Sequence, residues 1–210
     1  MQERIKLTPE NVHEAAKKAA LVLRAGGIVL YPTDTLYGLG ADSLGKDAFE
    51  KIYATKGRNE GKPIHSIFEN VESAERFVEL TPLARTLAEK FLPGPLTLLL
   101  AKKVSVPDWA TAGHPTFGVR VPNNQFCLAL AHEFGEPYTA TSANKSGEVP
   151  ERTVDAIVAQ LGKGAARIDL IIDAGELQQS PPSSVVDARG ENPVIVREGA
   201  IPSDAIVSVV

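Results

Sequence analysis

Hydrophobic and polar positions along this chain switch repeatedly between a helical and a strand period, and that switching sets the expected elements. In "TPENVHEAAKKAALVLRAGG" the apolar positions recur at helical spacing, with Thr8 as N-cap, Pro9 as first helical residue and Gly26 and Gly27 as the stop. A β-branched strand, Ile28 to Tyr31, follows. "KDAFEKIYATKGR" places Phe49, Ile52 and Tyr53 on one helical face, so the basic residues after them fall at or just beyond the helix C-terminus. "TPLARTLAEKFLPGP" repeats the Thr-Pro start, stripes Leu83, Leu87 and Phe91 along one side and ends at Pro93 and Gly94, before the strand "LTLLLA". Further strands are predicted in "FGVRVP", "PYTATS", "DLIIDAG", "SSVVDA" and "PVIVREG", with helices near 124–134 and 153–161. Strands spaced this irregularly, several in succession near the C-terminus, predict an α/β (α+β) fold on a mixed β-sheet flanked by helices. No linker, repeat or low-complexity segment interrupts the pattern, so one domain over 1–210 is expected.

Composition narrows the function classes. Of 210 residues, 43% are hydrophobic and 23% charged, enough for a substantial core. Lys and Arg number 22 against 26 Asp and Glu, for a net charge of -4, which argues against a broadly basic nucleic-acid-binding surface but leaves room for a local cationic pocket. Cys127 is the single cysteine and sits in the apolar run "QFCLALA", which predicts core packing, not thiolate chemistry. The start "MQERIKLTPE" lacks a signal-peptide core and no apolar run reaches membrane-spanning length, so a cytoplasmic protein is expected.

Four stretches carry candidate chemistry. "YPTDTLYGLG", residues 31–40, crowds Thr33, Asp34, Thr35 and Tyr37 ahead of Gly38 and Gly40, more than a strand-to-helix turn requires. "KGR" at 56–58, with Lys62 beyond it, either complements the preceding helix dipole or clamps a polyphosphate. "TATSANKSG", residues 139–147, gathers small hydroxyl and amide side chains where one cap residue would suffice. Arg120 interrupts the apolar strand "FGVRVP", and a buried cation there calls for an internal carboxylate or an anionic ligand. No Walker A or G-x-G-x-x-G run is present, and His13, His65, His114 and His132 show no metal-ligand spacing, with His13 and His132 expected as surface or packing residues.

In their order, "PTDTLYGLG", "KGR", "PGPLTLLL", "TFGVRVP", "TSANKSG", "SSVVD" and "IVREGAI" resemble the YrdC-like family of threonylcarbamoyl-AMP synthases over about residues 14–203, in its short single-domain form without an additional C-terminal domain. The resemblance implies a twisted mixed sheet around a central substrate cleft. It implies synthesis of threonylcarbamoyl-AMP from L-threonine, bicarbonate and ATP, with Mg²⁺ carried largely on substrate phosphates, and a product consumed by downstream tRNA threonylcarbamoyl-transfer proteins. Carried over by motif, Thr35, Arg120, Ser142 and Ser183 would hold threonine, Arg120 on its carboxylate. Lys56, Arg58, Lys62, Thr116, Asn144, Thr153 and Arg197 would face ATP, and Lys56, Arg58, Ser142 and Asn144 form the catalytic set. The chain departs from the pattern at Asn59, where proline is usual, at Ile67, where many members carry histidine, in a loop at 147–153 one residue longer than the common form, and at Ser184, where threonine is usual. His65 lies two residues early for that histidine's role.

The abundance of donors and the absence of a Ser-His-Asp or Cys-His arrangement favour catalysis by positioning and charge neutralisation. As a synthase the chain is expected to make at most weak tRNA or RNA contact; the alternatives are a non-catalytic RNA-binding or ribosome-assembly module, which 6% aromatic residues give few stacking platforms, and carbamoyl transfer from carbamoyl phosphate.

Overall fold

Two of the predicted helices end where local chemistry dictates. Thr81 accepts a hydrogen bond from the Ala84 amide and Pro82 opens the next turn, while Gly57 terminates the helix before it in the left-handed region at φ 58°. The first helix differs from expectation. It starts at Val12, with Thr8 and Pro9 in the preceding turn, because Asn11 occupies the cap position and its side chain is committed backwards: Oδ1 accepts from the Thr8 amide and Nδ2 donates to Lys6 O.

The computed structural model describes residues 3–57 and 63–209. In chain order they form β1 (Glu3–Lys6), α1 (Val12–Arg24), β2 (Val29–Pro32), β3 (Tyr37–Gly40), α2 (Lys46–Lys56), β4 (His65–Ile67), α3 (Val71–Ala74), α4 (Pro82–Phe91), β5 (Leu96–Ala101), β6 (Thr116–Arg120), α5 (Gln125–Phe134), β7 (Tyr138–Ser142), α6 (Val154–Leu161), β8 (Leu170–Asp173), β9 (Ser184–Asp187), β10 (Val194–Arg197) and α7 (Ser203–Val207). The strands make one mixed sheet in the order β1-β8-β2-β3-β7-β4-β6-β5-β9-β10, as expected of the α/β class. No helix among the described residues is long and apolar enough to cross a membrane.

Alternation within the strands divides the core. On β2, Val29 and Tyr31 join the cluster under α1 and α5, whereas Leu30 joins the cluster under α2 and α6. On β5, Leu96, Leu98 and Leu100 face a third cluster with α4 and Phe117 and Val119 of β6, each burial contributing about 1.5–3 kcal/mol. Thr97 therefore points to the opposite face.

The stretch "YPTDTLYGLG" is a β-hairpin and not a strand-to-helix loop: β2 and β3 pair antiparallel, with Tyr31 opposite Gly38, around a turn at 33–36. Thr33 builds that turn, its Oγ1 accepting from the Thr35 and Leu36 amides and donating to Leu36 O. The two glycines serve the protein's own packing. A Cβ on Gly38 would lie 2.9 Å from Cζ and Oη of Tyr31, and one on Gly40 would lie 3.0 Å from Cε1 of the same ring. Tyr31 is fully buried, with its hydroxyl donating to Thr139 O, so the ring has nowhere to retreat. Gly38→Ala should accordingly lower stability by about 1–3 kcal/mol in urea unfolding; an unchanged midpoint would show that the ring yields freely.

Candidate active site

The open ends of β3, β4, β5, β6 and β7 converge on a cleft of about 630 Å³. Its floor carries Arg120 at the end of β6, and the turn before β3 supplies that arginine's partners. Arg120 is 8% exposed, and its Nη2 donates to Asp34 Oδ1 at 2.5 Å and to Thr35 Oγ1 at 2.9 Å. Asp34 Oδ2 accepts from the Asn123 amide at 3.1 Å. The partner of Arg120 is thus an internal carboxylate, yet its buried Nε has no hydrogen-bond partner among the described residues.

A second wall comes from α2 and the end of β7. Lys56, the last residue of α2 and 3% exposed, reaches across to donate from Nζ to Ser142 O and, at 3.2 Å, to Asn144 Oδ1. Ser142 Oγ donates to the same Asn144 oxygen at 2.5 Å, while Asn144 Nδ2 donates to Lys145 O and Glu148 O at 2.9 and 2.7 Å. These bonds use every hydrogen-bonding site of the amide, so Asn144 shapes the 144–148 turn and fixes Lys56 from within the wall.

The third wall is the chain crossing from β8 to β9. Ser183 and Arg197 meet there, with Arg197 Nη2 donating to Ser183 O at 2.8 Å and to Ser183 Oγ at 3.3 Å. Partial burial, and then the nearby Arg120 guanidinium, lower the pKa of Arg197 from its ordinary value. Two neighbouring cations, one of them without a carboxylate partner among the described residues, suit an anionic occupant. Tyr37 closes one corner with its hydroxyl already engaged: it donates to Gly175 O at 2.8 Å and accepts from the Ala174 amide at 2.9 Å.

Thr35, Arg120, Ser142, Asn144, Ser183 and Arg197 line this cleft, and Lys56 stands directly behind Ser142 and Asn144. Thr116 and Thr153 are not among the lining residues. Thr116 begins β6 at the end away from Arg120, and Thr153 Oγ1 caps α6 by accepting from the Ala156 amide at 3.3 Å. Arg58, Lys62 and Asn59 lie outside the described residues. Of the four histidines, His65 lines the cleft, whereas Ile67, two residues along β4, is buried under α1 and α5. Residues the sequence did not single out also face the cleft, chiefly Thr97, Glu148, Glu151 and Gln179. Thr97 had a signal, as a hydroxyl in a strand otherwise made of leucine and alanine; the others sit in loops without one.

Cys127 is fully buried, and burial pushes its thiol from 9.0 up to about 12. Among the described residues no group of three or more His, Cys, Asp or Glu is placed to hold a metal ion.

A mixed sheet whose cleft presents arginines and hydroxyls, with a lysine directly behind them, is an α/β scaffold suited to small anionic ligands. The family model Sua5/YciO/YrdC, described as telomere recombination, matches residues 21–199, and the chain belongs to that family. A putative threonylcarbamoyl-AMP synthase of Methanocaldococcus jannaschii is 36% identical over 177 residues, 84% of this chain and 82% of that protein. The threonylcarbamoyl-AMP synthase of Pyrococcus abyssi is 39% identical over 195 residues, 91% of this chain and 56% of that protein, so the chain spans little more than half of this longer relative. The crystal structure of P. abyssi Sua5 complexed with L-threonine matches with a TM-score of 0.88 at 33% identity, covering 100% of this chain and 60% of that one.

Truncating Asp34 would leave Arg120 buried and uncompensated, so Asp34→Ala should cost about 3–5 kcal/mol in chemical denaturation, against about 1 kcal/mol or less were the pair effectively solvated. Because its folded pKa is raised, Cys127 contributes stability that is complete below pH 9.0 and is lost as pH climbs towards about 12. Native protein at neutral pH should therefore resist iodoacetamide until it is unfolded; rapid native labelling, followed by mass spectrometry, would contradict that burial.

Proposed function

We propose that this chain joins L-threonine, bicarbonate and ATP into L-threonylcarbamoyladenylate, a nucleotidyl transfer that releases pyrophosphate and water. The observation that carries this reading is Arg120: a buried guanidinium whose Nε has no partner among the described residues, in a cleft that also presents Thr35, Ser142 and Ser183. That combination fits an amino acid's carboxylate and its polar side chain. Membership of the family supports it, as do the names of the synthase relatives and the L-threonine held by P. abyssi Sua5.

In this reading threonine's neutral amine adds to bicarbonate with loss of water. The resulting carbamate oxygen attacks the α-phosphorus of ATP, and the bond to the β,γ-pyrophosphate breaks in line. The protein forms no covalent bond with either substrate. Arg120 holds the carboxylate, Lys56 and Arg197 offset phosphate charge, and Asn144 keeps Lys56 in place, so the rate gain comes from positioning and preorganised charge. Arg58 joins the phosphate side by motif, and Lys62 joins it as the next cation along the chain. Mg²⁺ enters with ATP as part of the substrate. The product is a mixed anhydride, to be consumed by proteins that transfer the threonylcarbamoyl group to tRNA.

Purified protein with Mg²⁺ and ATP should release pyrophosphate only when both L-threonine and bicarbonate are present, and mass spectrometry should find threonylcarbamoyl-AMP. Lys56→Ala should lower kcat/KM by about 100-fold or more while the protein stays folded. Salt-sensitive tRNA binding without turnover would replace this reading with an RNA-binding module, and turnover of carbamoyl phosphate without threonine would replace it with carbamoyl transfer.

A further inference from the structure

Thr97, the second residue of β5, is fully buried, and its neighbours Leu96 and Leu98 fill the core. An aliphatic side chain would satisfy packing at this position, and a hydroxyl costs desolvation unless it is bonded. Its one described partner is Ser183 Oγ, at 3.0 Å, and both atoms belong to the cleft wall. Register places Thr97 directly opposite Arg120 on the antiparallel neighbour β6, so their side chains share one face about 5 Å apart at Cβ. Thr97 thus stands between the arginine on the floor and the serine on the third wall.

Geometry lets either hydroxyl donate, and proton counting separates the two arrangements by what each leaves for a ligand. Each hydroxyl offers one proton and two lone pairs. Arg197 Nη2 donates to Ser183 Oγ at 3.3 Å, filling one lone pair from inside the wall. A proton from Thr97 fills the second, which leaves the serine's own proton free to enter the cleft. The reverse arrangement would spend that proton on Thr97 and leave Ser183 presenting no donor to an anion.

We propose that Thr97 is a positioning residue: its hydroxyl donates to Ser183 Oγ, so that Ser183 turns its own O–H into the cleft and donates to a carboxylate held beside Arg120. This rests on the threonine-binding reading of the cleft. Thr97 touches no reacting atom and acts only through Ser183.

Thr97→Val removes the hydroxyl at nearly constant shape, and Thr97→Ser restores it. Thr97→Val should raise the KM for threonine about tenfold, the scale of one hydrogen bond to a charged group, with kcat and the KM for ATP within about twofold of wild type. Thr97→Ser should recover most of the loss. Crystal structures of wild type and Thr97→Val should show the Ser183 side chain rotated away from its wild-type rotamer. An unchanged threonine KM in Thr97→Val, an equal defect in Thr97→Ser, or a defect confined to ATP would overturn the assignment. Should wild type itself show no threonine-dependent turnover, the functional reading falls, and the crystallographic comparison decides Thr97 on its own: a Ser183 side chain that keeps its rotamer in Thr97→Val overturns the positioning role.

Discussion

The cleft exists because Asp34 and Arg120 meet. In sheet order β3 and β6 are separated by β7 and β4, so on a flat sheet three spacings of about 4.8 Å, roughly 14 Å, would part them. Asp34 lies in the turn leading into β3, yet its Oδ1 is 2.5 Å from Arg120 Nη2. A sheet curled towards the cleft brings the two within side-chain reach. The same curl explains the connection from β8 to β9, which sit at opposite ends of the sheet with six strands between them. Seven flat spacings come to about 34 Å, close to the reach of the fully extended chain over 174–183. On the curled sheet that segment runs as a chord over the hollow. It is tied at one end by Tyr37 to Gly175 and by Arg152 to Glu176, and at the other by Ser183 and Arg197.

An ion pair this deeply buried is a poor device for stability alone, since desolvating both charges offsets much of their attraction and a well-packed apolar pair often does as well. What the pair supplies here is an oriented guanidinium. Asp34 and Thr35 take Nη2, and the Nε side has no partner among the described residues. The arginine is thereby oriented in a mostly buried place, where a single charge discriminates more strongly between ligands than it would in open water.

Much of this was legible in the sequence. Thr81 with Pro82, and the stripes on α2 and α4, are local signals, and local contacts carried them through to the fold. The identity of Arg120 as a buried cation followed from its apolar neighbours, although which acid would meet it did not, because pairing across 86 residues depends on sheet order. The strands β1, β3 and β4 went unread: each has three or four residues, and in β3 two of the four are glycines, which carry no period. Those glycines make room for the Tyr31 ring of the facing strand. The Thr8-Pro9 start was overridden by Asn11, whose carboxamide was drawn into tying down the end of β1.

The lysine wall is ordered before any ligand arrives. A lysine on the last turn of a helix ordinarily samples many rotamers in water, and fixing it while a phosphate arrives would subtract from binding. Here Lys56 is already held by Ser142 O and Asn144 Oδ1, and Asn144 is itself held by Lys145 O and Glu148 O, so the ordering of the ammonium is completed when the chain folds. Arg120 on Asp34 and Arg197 on Ser183 follow the same pattern. All three cations are anchored by oxygen atoms of the protein, Arg120 and Arg197 at the cleft surface and Lys56 behind it, and what meets the cleft is a fixed field that an anion enters without having to assemble it.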